Sequence, residues 1–188
     1  MKRILVVCLF LISVCQFSFG QDGYLPLDNK KNAFYSDVGS MDQTKDGLFG
    51  NAQKWVVRSF GNYENAVDHE DRIGGKLVVK TYAPISSPSF EYLRFTMTIT
   101  CSDNKYLASI TELEGIAKTQ TVTKLGQQQN DAILEKSMVV KTETNRKKKV
   151  IAENLLNEAK ADNDHVNQVM FSLLASLKQT MLSKGESE

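Results

Sequence analysis

Few residues in this chain of 188 are of a type that does chemistry. His69 and His165 are the two histidines, and the first sits in the densest group of potential ligands, Asp68-His69-Glu70-Asp71. Carboxylates beside an imidazole suit two tasks, holding a metal ion or moving a proton in a hydrolytic reaction. On a strand, alternation puts His69 and Asp71 on one side and Asp68 and Glu70 on the other. At most two ligands then converge where a metal needs three or four, so the run reads as a solvated strand end leading into a turn. His165 has Ala161 and Val169 four residues away on either side. Neither can ligate, and the histidine reads as a polar residue in the first turn of a helix.

Cysteine chemistry is equally thin. Cys8 and Cys15 lie in the N-terminal leader, which leaves Cys101 alone, in an apolar alternation with Met97 and Ile99 and with no histidine at a supporting spacing. A buried structural thiol is the better reading. No G-x-S-x-G, H-E-x-x-H, phosphate loop or G-x-G-x-x-G occurs in the sequence. The chain is therefore expected not to be an enzyme, with no catalytic residue, no metal ligand and no cofactor assigned.

The elements that position these residues are legible in part. Lys2 and Arg3, an apolar run from Ile4 to Val14, and Ser18-Phe19-Gly20 form a secretory signal with its cut expected between Gly20 and Gln21. The apolar run is shorter than the roughly 20 residues of a spanning helix, so the mature chain is expected to hold no transmembrane segment. Val14 stands where a lipobox needs a small residue, so lipid anchoring at Cys15 is not expected. Loss of Lys2 and Arg3 takes the 23 basic residues to 21 against 22 acidic ones, a formal charge of −1. Such a chain has no broad field to hold nucleic acid, which is not expected as a partner.

Residues 21–32 are polar and read as a flexible lead. Residues 33–38 suggest a strand. From Thr44 to Phe60 the apolar residues Leu48, Ala52, Trp55, Val56 and Phe60 follow one face of a 3.6-residue period, with Thr44 as N-cap and Gly61 as stop. Val67–Asp71 and Lys76–Tyr82 flank turn residues and form a hairpin. From Phe90 to Cys101 the odd positions Leu93, Phe95, Met97, Ile99 and Cys101 are apolar and the even ones polar, so this strand has one packed and one wet face. Asp103-Asn104 turns the chain back into a strand over Lys105–Leu113. Residues 114–149 read as a variable or partly disordered segment that ends in the basic run Arg146-Lys147-Lys148-Lys149. Residues 150–182 carry helical periodicity, broken at 161–164 (ADND), with a last helix from about Asp164 to Leu182 and a frayed tail. The fold class is α+β, a curved antiparallel sheet over residues 33–113 with helices on one face and a C-terminal helical extension.

Three runs, FYSDVGSMDQTKDGLFGNAQKWVVRSF, HEDRIGGKLVVKTY and FEYLRFTMTITCSDNKYLASIT, resemble a family of exported bacterial proteins, domain of unknown function 4468, with a TBP-like fold. The shared pattern is a first strand, a helix carrying a central Trp (Trp55), an acidic residue before a GGKL motif, and a DNKY hairpin. The resemblance implies the fold and an envelope or extracellular location in Gram-negative bacteria. It supplies no catalytic residues.

The best reading of function is a binding or structural module of the cell envelope, with another envelope protein as a candidate partner. Its surface would be the wet face of the long strand, Tyr92, Arg94, Thr96 and Thr98. Tyr82, Phe90 and Tyr92, near the loop that holds Pro84 and Pro88, could add a groove for a peptide or glycan. Two alternatives are a hydrolase working through Asp68 to Asp71, and a carrier that encloses an apolar ligand against Leu93, Phe95 and Met97. The basic run at 146–149 reads as a solvated helix start that could also touch an anionic head group.

Overall fold

The computed structural model of the protein describes residues 23–183. The expected signal peptide, Cys15 and the tail expected to fray from Lys184 lie outside the described residues. Six strands form one antiparallel sheet: β1 (Tyr35–Ser40), β2 (Val67–Asp71), β3 (Lys76–Pro84), β4 (Tyr92–Ser102), β5 (Lys105–Ile116) and β6 (Val122–Lys124). Their order across the sheet is β1-β5-β4-β3-β2, with β6 paired to the far end of β5. Four helices accompany them: α1 (Lys45–Phe60), the single turn α2 (Tyr63–Ala66), α3 (Gln127–Thr142) and α4 (Arg146–Leu182).

Alternation decides the two faces. In β4 every odd residue from Leu93 to Cys101 is buried, and the even residues are half-buried or exposed. The buried set joins Leu77, Val79, Tyr106, Ala108 and Ile110 from the neighbouring strands in a single core. α1 and α4 close that core from one side. Trp55 is fully buried and donates its indole N–H to Ser176 Oγ of α4 at 3.1 Å, which ties the two covering helices together. Phe60 packs edge-on to Trp55 and lies 6.4 Å from the Phe95 ring. Thr44 caps α1 by accepting from Gly47 N, and Gly61 ends it at φ 76°, a backbone conformation that glycine adopts without steric cost.

Three expectations need correction. The lead is not free from Gly23 onward. Leu25 is 3% exposed, and its backbone exchanges two hydrogen bonds with the Asn130 side chain, at 2.9 and 3.0 Å. Asn163 donates to Gly23 O at 2.8 Å and Asn167 to Tyr24 O at 2.9 Å. Three buried asparagines from α3 and α4 therefore clamp the start of the described chain, satisfying backbone groups that have no strand partner there.

The segment 114–149 is built from the end of β5, β6, α3 and the first turn of α4. The break expected at 161–164 is absent, because α4 runs unbroken through it. Those residues are polar because they meet polar partners. Asp162 accepts from Ser89 N at 2.9 Å and from Ser89 Oγ at 2.6 Å, and Asn163 belongs to the clamp. His165 accordingly lies within α4 and not in a first turn.

Candidate functional site

The helices cover one face of the sheet, and the other is open. Strand register places its side chains in rows. Tyr82, Arg94, Glu114 and Lys124 stand opposite one another across β3, β4, β5 and β6. Lys80 is opposite Thr96, and Val78 opposite Thr98. The four residues chosen from the sequence, Tyr92, Arg94, Thr96 and Thr98, all lie on this face, Tyr92 exposed and the other three half-buried.

A bulge gives the face its charge pattern. Between Arg94 and Thr96 the β4–β5 register slips by one residue, since Arg94 pairs with Glu114 and Thr96 with Thr111. Glu112 takes φ 51°, in the left-handed region. A bulged strand carries one extra residue and re-aims its neighbours. Tyr106, Ala108 and Ile110 face the core, so unbroken alternation would send Glu112 there too. The bulge instead leaves Glu112 exposed and buries Leu113. A carboxylate is thereby placed on the open face beside a second one, Glu114.

The contacts follow from that placement. Arg94 Nε donates to Glu114 Oε2 at 2.6 Å, and its Nη2 pairs with the same oxygen. The Tyr82 hydroxyl and the Glu114 carboxylate hold the Arg94 guanidinium above its ordinary pKa. Thr96 Oγ1 donates to Glu112 Oε2 at 2.8 Å. Lys80 and Lys124 have no ion-pair partner within 4.0 Å among the described residues, and with Arg94, Thr96, Glu112 and Glu114 they line a hollow of about 360 Å³. A second hollow of about 460 Å³ adjoins it at Arg94 and takes in Tyr82, Tyr92, Ile116 and Val122. The arrangement can grip a polar group between two free ammonium groups while Tyr82 and Tyr92 offer amphipathic contact area.

The other candidates are not brought together. Glu70 lies on the helix side of β2, where it accepts from Tyr63 OH at 2.6 Å and Gln53 Nε2 at 2.9 Å. Burial and that carboxylate push the Tyr63 hydroxyl up to about 12. Asp71 Oδ1 accepts from Gly74 N at 2.8 Å and shapes the β2–β3 turn. Both carboxylates thus have structural duties on an edge strand. Among the described residues no group of three or more His, Cys, Asp or Glu is placed to hold a metal ion. Phe90 is partly buried, packed against the core over Gly115. Leu93, Phe95 and Met97 are packed into the core beneath the helices. Burial raises the Cys101 thiol to about 11, which leaves it protonated and unreactive. Sequence reasoning missed Lys80, Glu112, Glu114 and Lys124. Its usable signal was the pair of consecutive polar residues Thr111-Glu112, which breaks the alternation and marks the bulge.

A six-stranded antiparallel sheet covered by helices on one face and open on the other defines an α+β domain of TBP-like fold. Residues 34–114 match the family model described as a domain of unknown function (DUF4468) with TBP-like fold. A TBP-like protein from Parabacteroides distasonis superposes with a TM-score of 0.51 at 17% identity, over 81% of this chain and 96% of its own. A DUF4468 family protein from Bacteroides ovatus gives a TM-score of 0.49 at 14% identity, over 85% of this chain and 91% of its own. No curated protein matches the chain. Identity this low speaks to fold and leaves function to the site itself.

Proposed function

We propose that the protein is an exported, non-catalytic binding module of the bacterial cell envelope, and that the open sheet face receives its polar ligand or partner. The carrying observation is the bulge at Glu112. It holds a non-glycine residue in a conformation that costs of order 1 kcal/mol, and that cost places a carboxylate beside Thr96 on the open face. The same bulge returns Leu113 to the core, so the strand keeps its packing while the open face gains the carboxylate. Export rests on the first twenty residues of the sequence. Glu112 and Glu114 among the cations disfavour a nucleic-acid backbone, because each would repel phosphate.

The test is site-specific photo-crosslinking in the native envelope, with the crosslinker placed at Thr98 on the open face or at Lys54 on α1. Capture from Thr98 that disappears in Lys80→Ala/Lys124→Ala supports the reading. Capture that is equal from Lys54, or indifferent to both lysine changes, refutes it.

A further inference from the structure

The helical hairpin of α3 and α4 ends in a tip that the open sheet face does not use. The tip carries Lys141 and Arg146, Lys147, Lys148 and Lys149, all exposed, against the single acid Glu143. None of these cations has an ion-pair partner among the described residues. Four of them occupy the first turn of α4, where there is no acidic residue. That end of a helix bears the positive pole of its dipole, so cations there oppose helix stability.

Beside the charges stand exposed apolar side chains. Met138 is 58% exposed, Val139 51%, Val150 50% and Ile151 60%. They come as consecutive pairs, and neighbours in a helix point about 100° apart. Each pair therefore belongs to one apolar face of its helix, which Leu134 (46% exposed) and Leu155 (48%) continue one turn back from the tip. Met138, Val139, Val150 and Ile151 lie within six residues of the 143–145 connection, about 9 Å of helix rise. An amphipathic element resting at a bilayer interface buries its apolar groups to about 5–10 Å.

We infer that the hairpin tip is a peripheral docking site for an anionic phospholipid bilayer, with the basic run on the head groups and the apolar side chains nearest the tip in the interface. Charge complementarity selects the occupant, since about +4 at the tip meets the negative potential of an anionic leaflet. Among the described residues no helix is long and apolar enough to cross a membrane, so the contact is a surface one. The site lies on different elements from the open sheet face and does not depend on the function proposed for that face.

The experiment is co-sedimentation of the chain from Gln21, free of the apolar leader, with vesicles of phosphatidylcholine alone or mixed with phosphatidylglycerol. The expected result is a strong preference for the mixed vesicles that falls with salt. Arg146→Ser/Lys147→Ser/Lys148→Ser/Lys149→Ser should lose about fivefold per cation. Met138→Ser/Ile151→Ser, with the cations intact, should lose about tenfold. All six positions are exposed, and circular dichroism with the emission of buried Trp55 checks the fold of each variant. Equal binding to both vesicle types, absence of binding, or retention by the fourfold variant overturns the inference. Loss on removing the charges with no effect of the apolar pair overturns it in favour of an acidic protein or soluble anion.

Discussion

Asn167 offers the sharpest test of how this chain is held together. It is 4% exposed in the middle of α4 and makes two bonds at once, donating to Tyr24 O at 2.9 Å and accepting from Tyr35 OH at 2.8 Å. Tyr35 is 2% exposed on β1, and burial raises its hydroxyl well above the ordinary tyrosine value, so it remains a donor. Asn167→Ala leaves a backbone carbonyl and a phenol without partners. At about 1.5 kcal/mol for each orphaned group the loss is about 3 kcal/mol, or a fall in Tm of about 6–12 °C for a domain of this size.

Tyr35→Phe removes one of those orphans in advance. In that background Asn167→Ala should cost only about 1.5 kcal/mol, which gives a coupling energy of about 1.5 kcal/mol in the double-mutant cycle. The assay is urea denaturation of the four proteins followed by Trp55 emission, with an unchanged m-value, because the surface exposed on unfolding stays the same. Additivity to within about 0.3 kcal/mol would show that β1, α4 and the N-terminal segment are not joined through this side chain. The clamp argument would then fail.

Two glycines should respond in opposite directions. Gly75 has φ 69°, and a Cβ there would lie 2.2 Å from Cys101 O, so Gly75→Ala should cost about 2 kcal/mol or more in chemical denaturation. Gly50 sits inside α1 with nothing within 4 Å of an added Cβ, and Gly50→Ala should gain about 0.5–1 kcal/mol in the same assay. Cys101 should ignore a thiol reagent in the folded protein at mildly alkaline pH and react fully in denaturant; fast labelling of the native protein would contradict its burial. Burial raises the Asp164 carboxyl above its ordinary 3.8, so the folded state binds that proton more tightly than the unfolded one, and charging Asp164 lowers stability as pH rises. Asp164→Asn should therefore be the more stable protein at neutral pH, with the difference closing as pH falls toward 3.8 in a pH series of melting curves.

What could be read from sequence was whatever the chain writes locally. α1 announced itself because Leu48, Ala52, Trp55 and Val56 all turn to one core and Thr44 caps its own helix. β4 announced itself because each odd residue is buried under the same two helices. The four chosen surface residues follow from that same period of two. The illegible parts depend on distant partners. α3 buries only Asn130 and Ile133 and so has no apolar stripe to show. The polar residues at 161–164 look like a helix break until Ser89 and Gly23, at least 73 positions away, supply their bonds. The cleft likewise draws Lys80, Glu112, Glu114 and Lys124 from three strands other than β4, and no single window of sequence contains them.

The matched region ends at Glu114, so it includes the bulge and most of the open face. Lys124, which completes the cleft on β6, and the basic tip of the α3–α4 hairpin both lie beyond it. Arg94 is already neutralised by Glu114, which leaves Lys80 and Lys124 as the unpaired cations lining the cleft among the described residues. Removing Lys124, which lies beyond the matched region, would halve that unpaired charge. Ligand preference should therefore follow residue 124 more closely than it follows the fold.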